Sequence, residues 1–265
     1  MRMSPWIPTL SFSLLRKPVR LLGATGWLAL AACAPLSPPG VAEFSAGRTR
    51  LALPPGAWED WGRSDQGIPL PPELGESMPL QTRAVVLRGA RQELLAVLLV
   101  QTNRTNAPRD ATLWSGACGP QRGVWVEDAA AASPVRIDCL RFKRWANQED
   151  WLGKNHPRLA HWLSEQKVAM PQPYSHLHYR YATAGGAWIE LNALVDQRLL
   201  QPRTHSNEEF LRAGQPAQDW ARQMAQAVRT STSMMDGHLP VPPFPLPLPT
   251  DTVAPPSSAP VPGKG

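Results

Sequence analysis

Proline is the residue that most restricts how this chain can fold. Thirty of its 265 residues are proline, more than twice the usual share of about 5%. Because proline lacks a backbone N–H, it cannot donate a hydrogen bond inside a sheet or a helix. Collagen is excluded, since the chain has only 19 glycines and no Gly-X-Y repeat. We therefore expect the excess prolines to lie mainly outside the packed core.

The position of the prolines predicts the organisation of the chain. Ten of the 27 residues from Leu239 to Gly265 are proline, which predicts polyproline II or disorder and a tail that cannot join a sheet. Such a tail is either solvated or a docking strand for a partner. The predicted parts are a signal peptide at residues 1–32, a lipidated tether at 33–46, a folded domain at 47–237 and a proline-rich disordered tail at 238–265.

The first 32 residues have the pattern of an export signal. Four basic residues and no acidic one precede an apolar run of about 12 residues that begins at Leu21. A helix needs roughly 20 apolar residues to span a bilayer, so a permanent transmembrane helix is disfavoured. The basic residues are Arg2, Arg16, Lys17 and Arg20.

The apolar run ends in Leu30-Ala-Ala-Cys33, which resembles the lipobox of bacterial lipoproteins. The resemblance implies that the Cys33 thiol takes a diacylglyceryl group, that signal peptidase II cuts before it, and that the new amine is acylated. Several acyl chains would give a stable membrane anchor. Because Ala34 rather than Asp follows, the resemblance implies the outer membrane, facing the periplasm. An ordinary secretory peptide and an uncleaved anchor are the alternatives.

Processing would remove most of the positive charge of the chain. The net charge is +6, and loss of residues 1–32 leaves 23 basic and 21 acidic residues. Residues 141–145 alternate basic and aromatic side chains, as a nucleic-acid surface does. A charge near +2 and an envelope location favour an ordinary strand edge instead, so no nucleic-acid partner is predicted. Predicted partners are the membrane, through Cys33, and an envelope protein or the cell wall.

Cys118 and Cys139 are the cysteines that remain beyond Cys33. In an oxidising compartment they are expected to form a disulfide. Closing a loop of about 22 residues would stabilise the domain by roughly 3 kcal/mol. A reactive thiol or redox pair is the alternative, although the spacing is not Cys-x-x-Cys.

The folded part is predicted to be an α+β domain with an antiparallel sheet and C-terminal helices packed on one face. A helix is expected from about Pro157, with Leu159, Trp162 and Leu163 on its apolar face, and a last helix from Pro216 to Ser231. Gly237 is a suitable stop. The strand order and the Leu-Pro-Pro-Gly-Ala-Trp58 entry are similar to the Mog1/PsbP-like fold of some bacterial lipoproteins. Strands are predicted at 48–53, 57–62, 81–88, 93–102, 123–127 and 135–143.

A hairpin follows, and its loop length fixes the register of its two strands. A three-residue Ala184-Gly-Gly186 loop pairs Tyr179 with Leu191 and Arg180 with Glu190. A two-residue loop would turn apolar side chains to the wrong face. The chosen register brings five polar residues to one face: His176, His178, Arg180, Glu190 and Asn192.

This polar set is the candidate ligand face. It is interpreted as a solvated or helix-covered polar face with an Arg180–Glu190 pair, or else as a ligand or metal site. Two histidines lack a convincing third zinc ligand, so no metal, cofactor or catalytic residue is assigned. His156 and His161 are expected at the surface, since five residues place them about 140° apart on a helix. Ser115 lacks the glycines of a nucleophile elbow and is expected to be structural.

Nine tryptophans remain after the signal peptide. Most are expected in packing, and exposed ones could stack on sugar rings or lie at a membrane surface. The sequence therefore favours a non-enzymatic, lipid-anchored envelope protein with a binding or structural role. The alternative is a metal- or ligand-binding enzyme that uses His176, His178 and Glu190.

Overall fold

A seven-stranded antiparallel sheet is the main element of the computed structural model. The structure describes residues 43–69, 77–105, 118–131, 133–148, 150–170, 173–233 and 237–249. The strands of these ranges are β1 (Glu43–Ala46), β2 (Thr49–Ala52), β3 (Ala57–Pro69), β4 (Ser77–Arg88), β5 (Leu94–Asn103), β6 (Trp125–Asp128), β7 (Ile137–Lys143), β8 (Tyr174–Ala182), β9 (Trp188–Asp196) and β10 (His238–Pro240). The helices are α1 (Trp151–Asn155), α2 (Pro157–Glu165), α3 (Gln197–Leu200), α4 (Asn207–Ala213) and α5 (Pro216–Ser233).

The strand order in the large sheet is β3-β4-β5-β9-β8-β7-β6, and all neighbours are antiparallel. A second sheet has the order β1-β2-β10. The predicted α+β class is confirmed, and the six strands predicted in the first half correspond to β2 through β7. Residues 141–143 belong to β7, which lies between β6 and β8, so their assignment to a strand edge is wrong.

One surface of the large sheet, which we name the closed face, carries the main core. Leu140, Tyr179 and Leu191 pack there against the apolar side of α5. The small sheet covers another part of the same core through Leu51 and Leu239. The last helix, predicted from Pro216 to Ser231, is confirmed as α5, and its buried residues are Ala217, Trp220, Ala221, Met224, Ala225, Val228 and Ser231.

The opposite surface, which we name the polar face, is covered differently. Neighbouring residues of a strand point to opposite faces, so Leu194 lies away from α5. It packs in a separate cluster with Leu159 and Leu163 of α2 and with Leu152 of α1. The prediction that the helices pack on one face therefore holds for α5, whereas α1 and α2 lie on the other side of the sheet.

The proline-rich segment enters a sheet, so the prediction that it could not is wrong. Residues 238–240 pair with β2 in parallel, at the edge of the small sheet, where proline is tolerated. The Arg50 N–H donates to the Gly237 carbonyl at 3.0 Å, and the Val241 N–H donates to the Ala52 carbonyl at 2.9 Å. These hydrogen bonds use backbone groups on either side of Pro240, so its missing N–H breaks neither of them.

The residues that follow β10 also pack on the domain. The Phe244 ring lies 6.4 Å from Trp58 and 5.4 Å from Trp220, centroid to centroid. The Trp220 Nε1–H donates to the Pro242 carbonyl at 3.2 Å, and the Leu246 N–H donates to the Leu199 carbonyl at 3.1 Å. The folded part thus extends past the predicted boundary at 237, and β1 extends it before the predicted boundary at 47.

Cys118 and Cys139 form the disulfide that the sequence predicts, with Cα atoms 5.6 Å apart. Cys33, the signal peptide and residues 251–265 lie outside the described residues, as does Ser115. Among the described helices, none has the length and apolar character needed to cross a bilayer. The Mog1/PsbP-like assignment stays a prediction.

Candidate functional site

The β8–β9 hairpin has the predicted register. Tyr179 pairs with Leu191 and Arg180 with Glu190. The Thr183 N–H donates to the Ala187 carbonyl at 2.9 Å, which closes a loop of residues 184–186. The two strands therefore bring the five residues of the candidate ligand face together on the polar face of the sheet.

Four of the five residues form one hydrogen-bonded network, in which Glu190 is the common acceptor for two of them. His178 Nε2 lies 3.0 Å from Glu190 Oε1, and the Asn192 amide nitrogen donates to the same oxygen at 3.4 Å. A carboxylate oxygen only accepts, so His178 Nε2 is the donor. The orientation of the Asn192 amide leaves its oxygen 3.1 Å from His176 Nε2, which donates in turn.

Arg180, the fifth residue, lies directly opposite Glu190 in the ladder and is half-buried. The predicted Arg180–Glu190 cross-strand pair is therefore present in the ladder, while the side chain that hydrogen-bonds to Glu190 from β8 is His178. Arg180 still contributes positive charge at the Glu190 carboxylate. The charge of Arg180 therefore helps to keep Glu190 ionised, while the hydrogen bonds to Glu190 come from His178 and Asn192.

His156 joins this set, so its prediction as a surface residue is wrong. Its ring centroid lies 4.4 Å from that of His176 and 5.0 Å from that of His178. His156 has φ −135° and ψ 60° between α1 and α2, outside the α-helical region that a following proline disfavours. Pro157 therefore breaks the helix, and the angle predicted between His156 and His161 does not apply. We name His156, His176 and His178 the histidine cluster; His161 is exposed, as predicted.

Burial controls the charge of His156 and His176. Burial, followed by the charge of His178, lowers the pKa of His156 to about 4. Burial, followed by the charges of His156 and His178, holds the pKa of His176 well below its ordinary value. Both rings are therefore neutral near pH 7. Their neutrality allows two imidazoles to pack edge to face without repulsion.

Glu190 has the opposite character. Burial acts to raise its pKa, but the hydrogen bond and charge of His178, with the charge of Arg180 and the hydrogen bond from Asn192, outweigh burial and lower it. Glu190 is therefore an ionised carboxylate, and 29% of its side-chain surface is exposed. In the described ranges, no group of three His, Cys, Asp or Glu side chains could hold a metal ion.

Beside Glu190 the polar face holds a cavity of about 430 Å³, which we name the sheet-face cavity. This volume lies within the ~300–1,000 Å³ range of small-molecule sites. Thr82, Gln101 and Glu190 are paired neighbours across β4, β5 and β9 and form a row of its floor. Other floor residues are Ala84, Leu99 and Asn192. His176 and His178 do not line the cavity. They are hydrogen-bonded to Asn192 and Glu190, respectively, which do line it.

Helix α2 and strand β3 form the sides of the cavity. Arg158, Trp162 and Gln166 are spaced by four residues and so share one side of α2 and the turn after it. Strand β3 has a bulge, because the pairing shifts between Asp60 and Arg63. The bulge contains Trp61, whose ring centroid lies 6.2 Å from that of Trp162. Bulges often redirect a side chain beside a functional site.

Tryptophans occur on both faces, in part as predicted. Trp188 and Trp220 are buried, whereas Trp145 is 37% exposed. Trp61 and Trp162 are half-buried and line the cavity. These two therefore remain accessible to a ligand.

No family model matches the chain, and the comparison with curated proteins found no match. Among solved structures, the gene product SA0254 from Staphylococcus aureus subsp. aureus N315 is similar over 53% of this chain and 83% of its own. The identity is 9% and the TM-score is 0.24. A likeness at this level supports no inference about function.

Proposed function

We propose that this protein is a lipid-anchored lipoprotein of the bacterial envelope whose α+β domain is a binding module for a small polar ligand. The observation that carries the binding role is the sheet-face cavity, in which an ionised Glu190 lies on a floor of amide and hydroxyl side chains. The lipobox-like run at Leu30–Cys33 supports the lipid anchor, and Ala34 after it supports the outer-membrane location. The disulfide between Cys118 and Cys139 fits an oxidising compartment.

The state of Glu190 favours binding over acid–base catalysis. A general base works best when its pKa lies near the working pH. His178 and Asn192 stabilise the ionised form of Glu190, so it is a weak base and a good hydrogen-bond acceptor. The alternative function, an enzyme that uses Glu190 with His178, would need this carboxylate to take up a proton from a substrate.

Nuclear magnetic resonance tests the binding role. The isotopically labelled full chain, in detergent, is titrated with a set of polar compounds that contains hexoses, amino acids and inorganic phosphate. We expect at least one compound to shift the side-chain amide signals of Gln101 and Asn192, which line the cavity floor. Shifts confined to other parts of the chain, or no shifts at all, would refute the binding role.

Metabolic labelling with radioactive palmitate tests the anchor independently. The wild-type chain is expected to incorporate palmitate, and Cys33→Ala is expected to abolish incorporation because it removes the thiol that is acylated. Cys118→Ser, which changes a cysteine of the disulfide, is the control and should retain the label. Equal labelling of Cys33→Ala and wild type would exclude the lipoprotein assignment.

A further inference from the structure

The lining of the sheet-face cavity contains six side chains with uncharged amide or hydroxyl groups. Amides and hydroxyls can both donate and accept, so they match a ligand whose own groups do both. The amides are Gln66, Gln101, Gln166 and Asn192, and the hydroxyls are Ser64 and Thr82. This composition favours a ligand with many hydroxyl groups.

The charges around the cavity disfavour two other ligand classes. Arg63 and Arg158 lie at its sides, but an ionised Glu190 lies on its floor and would repel a phosphate placed there. An acyl chain would need a largely apolar lining. The floor instead holds a polar row of Thr82, Gln101 and Glu190 beside Ala84 and Leu99. A neutral, polar ligand satisfies both observations.

Glu190 has one oxygen available to such a ligand. The hydrogen bonds from His178 and Asn192 both end on Oε1. Within the described ranges Oε2 accepts none. An ionised carboxylate oxygen at a cavity surface is a strong acceptor for hydroxyl groups. His178 and Asn192 thus hold the carboxylate in place by one oxygen and leave the other for the ligand.

The tryptophans supply the second half of the recognition. A sugar ring carries hydroxyls around its edge and C–H groups on its faces, and the C–H faces pack on aromatic rings. Trp61 of β3 and Trp162 of α2 both line the cavity, with ring centroids 6.2 Å apart. We propose that the sheet-face cavity binds a neutral sugar ring, with hydroxyls on Glu190 Oε2 and a C–H face against Trp162. This inference rests on the proposed binding function.

Isothermal titration calorimetry and tryptophan fluorescence test the inference on the full chain in detergent. The probes are glucose, N-acetylglucosamine and the chitotriose oligomer of the latter, with glutamate and inorganic phosphate as the other ligand classes. We expect at least one saccharide to bind and to change the fluorescence. Glu190→Gln and Trp162→Ala should each weaken that binding at least tenfold, because each removes one half of the recognition.

Two variants elsewhere serve as matched controls. Glu127→Gln removes a carboxylate that pairs with Arg222, and Trp145→Ala removes an exposed tryptophan; neither residue lines the cavity. Both should bind the saccharide within twofold of wild type. If Trp162→Ala does not fold, Gln166→Ala, at an exposed position of the same wall, replaces it and should weaken binding severalfold.

The outcomes separate this inference from the proposed function. Saccharide binding that survives both Glu190→Gln and Trp162→Ala would overturn the sugar site. Binding of glutamate or phosphate alone, lost in Glu190→Gln, would overturn the sugar inference and leave the binding module standing. If no probe binds and the amide signals of Gln101 and Asn192 shift with no compound, both proposals fail.

Discussion

The closed face and the polar face of the large sheet share the same strands but differ in what covers them. On the closed face, Tyr179, Leu191 and Val100 form a fully buried cross-strand row under α5 and the small sheet. One residue further along β9 and β5, Glu190 and Gln101 lie on the polar face and line a cavity. The alternation of a strand thus separates stability from binding within a single sheet.

This difference indicates that stability and ligand binding can be changed separately, by substitutions on the closed face and on the polar face. Apolar area buried on the closed face stabilises the fold by about 25 cal/mol per Å², so changes there affect the whole domain. The polar side chains on the floor of the sheet-face cavity are half-buried, and their loss leaves the core intact. Substitutions on the two faces should therefore give different ratios of lost stability to lost binding.

The largest effect is expected from truncation of the proline-rich segment. A chain that ends at Gly237 loses Leu239 and Val241, which are 0% and 5% exposed, and the stacking of Phe244. Losses of about 2–5 kcal/mol for one buried leucine predict a decrease of more than about 4 kcal/mol in the free energy of unfolding. Urea denaturation followed by circular dichroism measures it. A chain that ends at Pro249 is the control and should match wild type.

The two truncations also decide how a partner of the tail is sought. Because residues 238–249 belong to the domain, a chain ending at Gly237 would lose partner binding through unfolding alone. Crosslinking in envelopes should therefore compare wild type with the chain that ends at Pro249. If the chain that ends at Gly237 has the same urea midpoint as wild type, β10 contributes nothing to the stability of the closed face.

Gly237→Ala is the next largest test of the closed face. Gly237 has φ +62°, and a Cβ there would lie 1.9 Å from the Arg48 carbonyl oxygen. The left-handed conformation costs a residue with a Cβ roughly 1–2 kcal/mol, and the backbone clash adds to it. We expect a loss of about 3 kcal/mol in urea denaturation. In the control Gly185→Ala, the new Cβ meets only Thr183 Oγ1 at 3.7 Å, and a similar loss there would contradict this explanation.

The closed face was largely predictable because its signals are local. The apolar positions of α5 recur every three or four residues, so its buried side could be assigned from Trp220, Ala221 and Met224 alone. The hairpin register was predictable for the same reason, since loop length and alternation act between two consecutive strands. The entry of β10 into a sheet was not predictable. The expectation that a proline-rich segment stays outside a sheet rests on composition alone, whereas the pairing depends on where Gly237 and Val241 place their backbone groups.

The polar face was predictable only in part. The sequence brought Glu190 and Asn192 together with His176 and His178, but the cavity also needs β5 beside β9 and α2 above them. These neighbours are far apart in the sequence, and no local pattern specifies them. His156 was missed because His156 and His161 were placed on one helix, whereas the step from Asn155 to Pro157 already indicated a helix break.

A pair of carboxylate substitutions sharpens the comparison of the faces. On the closed face, Asp138 is 5% exposed and accepts hydrogen bonds from Tyr179 and, twice, from Arg229 at 2.8 Å each. Asp138→Asn leaves the Arg229 charge without its counter-ion and should cost about 2 kcal/mol. Glu190→Gln keeps an acceptor for His178 and should cost less than about 1 kcal/mol. Urea denaturation that gives equal losses would contradict the separation of stability from binding.

The smallest expected effect is the pH dependence that the histidine cluster gives to the polar face. The pKa of His156 in the folded protein is lowered to about 4, first by burial and then by His178, whereas an unfolded histidine titrates near 6.5. Between these values the unfolded chain binds more protons, so stability falls as the pH decreases from about 6.5 towards 4. With allowance for the partial exposure of the ring, His156 should account for about 1 kcal/mol of that fall.

Thermal unfolding from pH 7.5 to pH 5 measures the slope above the range in which Glu190 titrates. His156→Gln should flatten the slope, although His176 keeps part of it, since burial lowers its pKa as well. His161→Gln changes an exposed histidine and should leave the slope unchanged; equal slopes for wild type and His156→Gln would mean that this ring does not titrate with unfolding.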